Sequence, residues 1–178
     1  KLFHTGEGGG MFCKDKDLFK KLYYGHNFGH SGLHDFYGLG INGKMSELHA
    51  ALGLTVLKDM DKIIFNRSQS VEHYMKHLSS KVVSHLKLRE GTEWNYSYLP
   101  VVFKSEEELL LAIKKLEEKE IFPRRYFYPS LNKLNYVNDT EMVVSENISS
   151  RILCLPLFVG LTENEIKKIT DIINSQLY

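Results

Sequence analysis

Cysteine is scarce in this 178-residue sequence, with Cys13 and Cys154 its only two. They lie far apart and show no CxxC or Cys/His spacing, which argues against a zinc ribbon or a disulfide framework. Two thiols in a reducing cytoplasm fit best, and a single disulfide stays open. No apolar run approaches the length of a membrane span. Neither sign of charge dominates: 23 Lys and Arg against 22 Asp and Glu leave a formal charge of +1, which gives no argument for a nucleic-acid or anionic-membrane partner. There is no secretion signal, internal repeat or low-complexity segment. The GxxxxGK[ST] phosphate loop is absent. His26, His30 and His34 recur in a Gly-rich stretch without a Cys or acid at ligand spacing. His73 and His77 lack the glutamate of HExxH, so no metal site is expected.

What is present is an ordinary globular composition, 43% hydrophobic and 25% charged, and enough chain for one domain or two small ones. His4 to Gly10 reads as a Gly-rich turn and Met11 to Cys13 as a short strand. Leu18, Phe19 and Leu22 mark a helix over Lys16 to Tyr24. Gly25 to Gly43 reads as loop. Apolar positions Met45, Leu48, Leu52, Val56, Met60, Ile64, Val71, Met75 and Leu78 then recur at helical spacing, with one gap at Arg67. That length suits one helix bridging two lobes, or two helices meeting near Asn66 to Ser70.

After Ser80 the periodicity changes. Val82 to Leu88 and Tyr96 to Phe103 read as strands around a turn at Glu90–Gly91. Ser105 with Glu108, and Thr162 with Glu165, are capping boxes opening helices striped by Leu109, Ile113 and Leu116 and by Ile166, Ile169 and Ile173. Ile121 to Tyr128 and Ile152 to Leu155 read as further strands. The order predicts a small α+β lobe from about Ser80.

Three segments carry chemistry. Lys1 to Phe12, KLFHTGEGGGMF, is a lysine before a Gly-rich turn; taken alone it fits a structural hairpin. In Gly38 to Leu54, GLGINGKMSELHAALGL, a loop meets a helix start, where backbone N–H groups and the positive dipole end favour an anion. Asn42 and Lys44 add side-chain donors there, although an Asn-Gly turn entering an amphipathic helix explains the pattern equally. In Ile121 to Leu131, IFPRRYFYPSL, Arg124 and Arg125 stand among aromatics. Arginine forks suit phosphate and aromatic faces suit a sugar or base; solvated arginines on a strand are the competing account.

Taken in this order, the segments resemble the DegT/StrS-type sugar-nucleotide aminotransferases, which depend on pyridoxal phosphate (PLP). KLFHTGEGG, Lys1 to Gly9, is similar to the stretch that begins at the PLP lysine. Gly40, Asn42, Lys44, Met45, Ser46, Glu47, Ala50, Ala51, Gly53 and Leu54 match the family's later motif. RILCLPLFVGLTENEI, Arg151 to Ile166, is similar to its closing strand, Leu-Pro-Leu turn and helix. Lys44 stands where many members have arginine; that form, with RRYFYP, looks like members acting on thymidine-diphosphate keto-sugars.

The resemblance implies an α/β chain: the C-terminal part of an aspartate-aminotransferase-like (type I PLP) fold. Residues 1–66 would end the large PLP-binding domain and residues 67–178 would form the rest of the linking helix and a small α+β domain. The sequence opens inside a motif and is expected to belong to a longer product, the piece alone being inactive. The implied reaction is transfer of an amino group from L-glutamate to a nucleotide-linked keto-sugar, a dTDP-keto-deoxysugar. Lys1 would be the catalytic lysine and hold PLP together with Asn42. Lys44, Arg124, Arg125, Tyr126 and Tyr128 would bind substrate. A cytoplasmic homodimer with shared sites is implied, with Asn42 reaching the partner's cofactor phosphate. The alternative is a non-catalytic homologue that binds a sugar nucleotide as a regulator.

Overall fold

The computed structural model describes residues 2–138 and 140–175, and it divides into two compact units, Phe3–Met60 and the chain from Asp61 onward. The lysine expected to hold the cofactor, Lys1, lies outside the described residues.

In the first unit, α1 spans Lys16–Gly25 and starts where the Asp15 carboxylate accepts the backbone N–H groups of Asp17 and Leu18, satisfying two of the helix's orphan donors. The loop that follows crosses itself. Phe28 N–H donates to Ile41 O at 2.9 Å and Gly43 N–H to His26 O at 2.8 Å. A Cβ on Gly40 would lie 2.2 Å from the Gly29 nitrogen, and Gly29 itself has a φ of +79°. Only glycine fits that crossing. Helix α2, Glu47–Lys58, is capped by Ser46, whose hydroxyl accepts His49 N–H. The expected strand at Met11 to Cys13 does not form. No described segment pairs with it, and a strand without a partner leaves its backbone groups unsatisfied.

Helix α3, Met60–His77, follows at once. The helical stretch is therefore two helices, but they meet at Asp59, not near Asn66 to Ser70. Asp59 takes a non-helical ψ of 3° as the cap of α2, in line with the tendency of Asp to favour caps over helix interiors. The polar run farther on is absorbed: the Ser70 hydroxyl donates to Asn66 O at 3.2 Å, and Arg67 is buried.

The second unit holds one antiparallel sheet of order β1-β2-β3, with β1 at Val83–His85, β2 at Leu99–Phe103 and β3 at Ile152–Leu155. Leu99, Val101 and Phe103 are buried and alternate with half-exposed Pro100 and Val102, the period of a strand with one face on a core. Pro100 is tolerated in this central strand because its partner Cys154 exchanges both backbone bonds with Arg124 and, on the other side, β1 ends at His85 opposite Val101, so no ladder bond is asked of the proline. Helices α4, Glu106–Glu117, and α6, Glu163–Asn174, bury Leu109, Ala112 and Leu116 and Ile166, Ile169 and Ile173 in the same cluster as Val71 and Tyr74 of α3 and Leu78 just after it. The Asn174 amide joins the ends, donating to His77 O at 2.7 Å and accepting from Ser79 N–H at 2.9 Å.

Two further expectations change. The strand expected over Ile121 to Tyr128 shrinks to one bridge, Arg124 to Cys154, because Pro123 has no N–H to extend it. Helix α5, Val143–Arg151, was not expected. Its stripe is weak; Glu146 instead accepts the N–H of its own cap residue Met142 at 2.8 Å and the Asn132 amide at 2.8 Å.

Candidate functional site

The loop crossing sets residues 41–43 beside 26–28, so Asn42 and Lys44 come out just ahead of the Ser46 cap. Lys44 Nζ donates to Asn42 Oδ1 at 2.6 Å and lies 4.1 Å from the centre of the Phe28 ring. Both side chains are exposed and no carboxylate pairs with Lys44 among the described residues. Because the Asn42 oxygen already accepts from Lys44, its N–H2 group stays a donor. An ammonium, an amide donor and a capped helix start form a donor set suited to an anionic phosphate, so these residues fit the phosphate of a group such as PLP. Behind them, a Cβ on Gly53 would lie 2.7 Å from Thr5 Cγ2. This explains why the motif places glycine on α2 where the Phe3 to Thr5 segment passes.

The second unit carries the arginine pair. The Arg124–Cys154 bridge directs neighbouring side chains to opposite sides. Arg125 turns to structure: its guanidinium donates to Glu106 Oε1 at 2.7 Å and Ser150 O at 2.8 Å and lies 3.6 Å from the centre of the Tyr128 ring. Arg124 is exposed. One of its guanidinium N–H groups donates to the Tyr126 hydroxyl, and no carboxylate pairs with it among the described residues. Tyr126 stacks on Phe127 with ring centres 4.7 Å apart. Tyr126, Phe127 and Pro129 then border an open, mostly apolar groove that runs to α5 and has a volume of about 790 Å³. Of the expected substrate residues, Arg124, Arg125, Tyr126 and Tyr128 are thus gathered on one segment, and Arg124 alone of the two arginines presents an uncompensated charge.

The family model for the DegT/DnrJ/EryC1/StrS aminotransferase family matches residues 1–174. The chain belongs to this family. It is 32% identical to a dTDP-4-amino-4,6-dideoxy-D-glucose transaminase of Shigella dysenteriae, over 97% of this chain and 49% of that protein. It is 29% identical to GDP-perosamine synthase of Escherichia coli O157:H7, over 98% of this chain and 48% of that protein. Among solved structures it superposes on DesI, described in the presence of its TDP-sugar product, with a TM-score of 0.85 and 25% identity, covering 98% of this chain and 46% of DesI. The chain spans about half the length of the relatives it matches. The fold expected from the resemblance is the fold found: a mixed α/β chain with a small sheet, matching part of an aminotransferase.

Two residues of the second unit escaped the sequence reading. Arg67 stood as a gap in the α3 stripe, yet it is 6% exposed and donates to Tyr96 O, Ser97 O and Leu157 O at 2.7, 2.6 and 2.8 Å. Tyr98, on the outward register of β2's approach, meets Tyr126 edge-to-face with ring centres 5.6 Å apart. Its signal was present in the alternation of Tyr96, Tyr98 and Pro100 against Leu99 and Val101. No helix among the described residues is long and apolar enough to cross a membrane.

Proposed function

We propose that the enzyme carrying this chain transfers an amino group from L-glutamate to a nucleotide-linked keto-sugar, a dTDP-keto-deoxysugar, using PLP. The observation that carries the proposal is Arg124: an exposed guanidinium with no acidic partner, set among aromatics in a chain of this family. Its fork suits the oxygens of a diphosphate better than the point charge of a lysine would. Similarity to dTDP-amino-sugar transaminases at 32% and 27% identity supports a thymidine nucleotide; Lys44 in the α2 motif is consistent with it.

PLP, when bound, supplies an electron sink that lets an amino group pass between carbon atoms. Asn42 would give its amide N–H2 to the cofactor phosphate and Lys44 its ammonium to the substrate. Lys1 would hold the cofactor and carry the proton at its Nζ, which requires a neutral amine and therefore burial or a nearby cation. Arg125, tied to Glu106, would orient the segment on which Arg124 and Tyr126 stand.

A homodimer with shared sites is part of the proposal. In residues 3–60 no apolar side chain is buried, and Phe12 and Leu48 are 100% and 83% exposed; surface of that kind is normally covered in a working protein, by further parts of the same protein or by a second copy.

Arg124→Ala in the whole enzyme tests the reading. Losing a charge-assisted hydrogen bond of about 1.5–3 kcal/mol should raise KM for the sugar nucleotide roughly ten- to a hundredfold and leave the glutamate half-reaction nearly unchanged. Equal damage to both half-reactions would instead assign Arg124 to folding. Lys1→Ala should abolish turnover and the visible band that PLP shows only when joined to the lysine amine.

A further inference from the structure

We infer that Tyr98 is a substrate-contacting residue of the same site, its ring taking the nucleoside end of a nucleoside diphosphate while Arg124 takes the diphosphate. This rests on the reading of Arg124 as a sugar-nucleotide ligand.

Tyr98 is 41% exposed, and none of the described groups hydrogen-bonds its hydroxyl. A large aromatic left open on a surface is unremarkable when its backbone is mobile. Here the backbone is fixed on both sides. Arg67 gathers the carbonyls of Tyr96 and Ser97 immediately before it, and Leu99, buried and paired with Leu155, follows it. The backbone that carries the ring is therefore set before any ligand arrives, so only side-chain ordering opposes its use in binding.

Its neighbours set the chemistry. The edge of one ring meets the face of the other in the Tyr98–Tyr126 pair, at 74°. The Tyr126 hydroxyl accepts from Arg124. An exposed arginine with no carboxylate partner among the described residues thus borders an aromatic pair. That combination favours a ligand bearing both an anion and a flat or ring-shaped end, the description of a nucleoside diphosphate. A free acid or a simple sugar would use only half of it.

Binding of thymidine diphosphate (dTDP) to the whole enzyme, followed by calorimetry, tests the assignment on Tyr98→Ala, Tyr98→Phe and Arg124→Ala. Base-on-aromatic stacking predicts a dissociation constant raised about five- to a hundredfold by Tyr98→Ala. Tyr98→Phe, which keeps the ring, should stay within about threefold of the parent. Weakening by Arg124→Ala with parental affinity in Tyr98→Ala overturns the role of Tyr98 and leaves that of Arg124 standing. Equal losses in Tyr98→Phe and Tyr98→Ala overturn stacking. Parental affinity in Arg124→Ala, or no dTDP binding by the parent, overturns both readings. If Tyr98→Ala loses its cooperative melting transition, Tyr98→Leu, with similar bulk and no π face, takes its place under the same criteria.

Discussion

Arg67 shows how one buried side chain can organise several strands of argument. A guanidinium keeps its charge even where burial lowers its basicity, as it does here, and its five donors lie in a fixed plane. Those donors satisfy three carbonyls from two separate segments, Tyr96–Ser97 and Leu157. Substituting methionine would fill the volume and orphan all three. With each unsatisfied buried acceptor costing roughly 1–3 kcal/mol, Arg67→Met should lower unfolding free energy by about 3 kcal/mol or more in denaturant titrations. Arg67→Lys, a point donor, should recover only part. By the same reasoning Tyr74→Phe, which removes the 2.9 Å bond to Pro156 O from a fully buried ring, should cost about 1–2 kcal/mol. Neither partner was legible in the sequence. Hydropathy ranks arginine as a break in an apolar stripe, while burial on α3 runs through Arg67, Val71 and Tyr74 and on to Leu78 just past its end. The position was readable; the acceptors, tens of residues away in the chain, were not.

At the scale of the element, helix ends were read far better than strands. Thr162 and Glu165 form the reciprocal cap expected of them, the Thr162 hydroxyl accepting Glu165 N–H while the carboxylate accepts Thr162 N–H. Thr162→Ala should therefore lower stability by about 1 kcal/mol. Ser105 caps α4, its hydroxyl accepting Glu108 N–H, but among the described bonds the return bond of the expected capping box is missing. Caps are local, so a few residues suffice to identify them. The strand expected at Ile121 to Tyr128 depended on a neighbour that could pair with it, and Pro123 and Pro129 left only one bridge. Helix α5 depended on Glu146, whose carboxyl the Met142 N–H and then the Asn132 amide hold below the ordinary range; the hydroxyl and N–H of Thr162 do the same for Glu165. A depressed folded pKa stabilises fully above the unfolded value, near 4.3, and that stabilisation drains away as pH falls through the folded one. The melting temperature of the parent should accordingly drop on acidification from about pH 4.5 to pH 3 more steeply than that of Glu146→Gln/Glu165→Gln. Parallel slopes would place the acid sensitivity elsewhere. The raised thiol pKa of Cys154, pushed up to about 11 by burial in β3, predicts slow alkylation at neutral pH while the protein is folded.

Across the whole chain, the two units differ in how they are held together. From Asp61 onward, one cluster joins α3, the sheet, α4 and α6, and Tyr74, Val101, Phe103, Leu109, Leu116, Ile166 and Ile173 are wholly buried in it. Residues 3–60 bury no apolar side chain; glycine crossings, caps and aromatic contacts such as Tyr24 on Tyr37, 4.9 Å apart, hold them in shape. Sequence periodicity found the long helical stretch, though not its break at Asp59, and could not rank the halves, because Leu48 and Leu52 read as core as strongly as Val71 and Leu78 do. What separates them is whether a second apolar surface lies opposite, which a stripe does not state. A physical consequence follows for dissected chains. Residues 61–175 possess a complete core with capped helices and a paired central strand, and should unfold cooperatively, with dispersed amide resonances and a single melting transition. Residues 2–60 should show neither, since short helices without a packed face are marginal in water. A cooperative transition in 2–60 alone, or its absence in 61–175, would mean that the stability of this chain does not reside in the cluster around Tyr74.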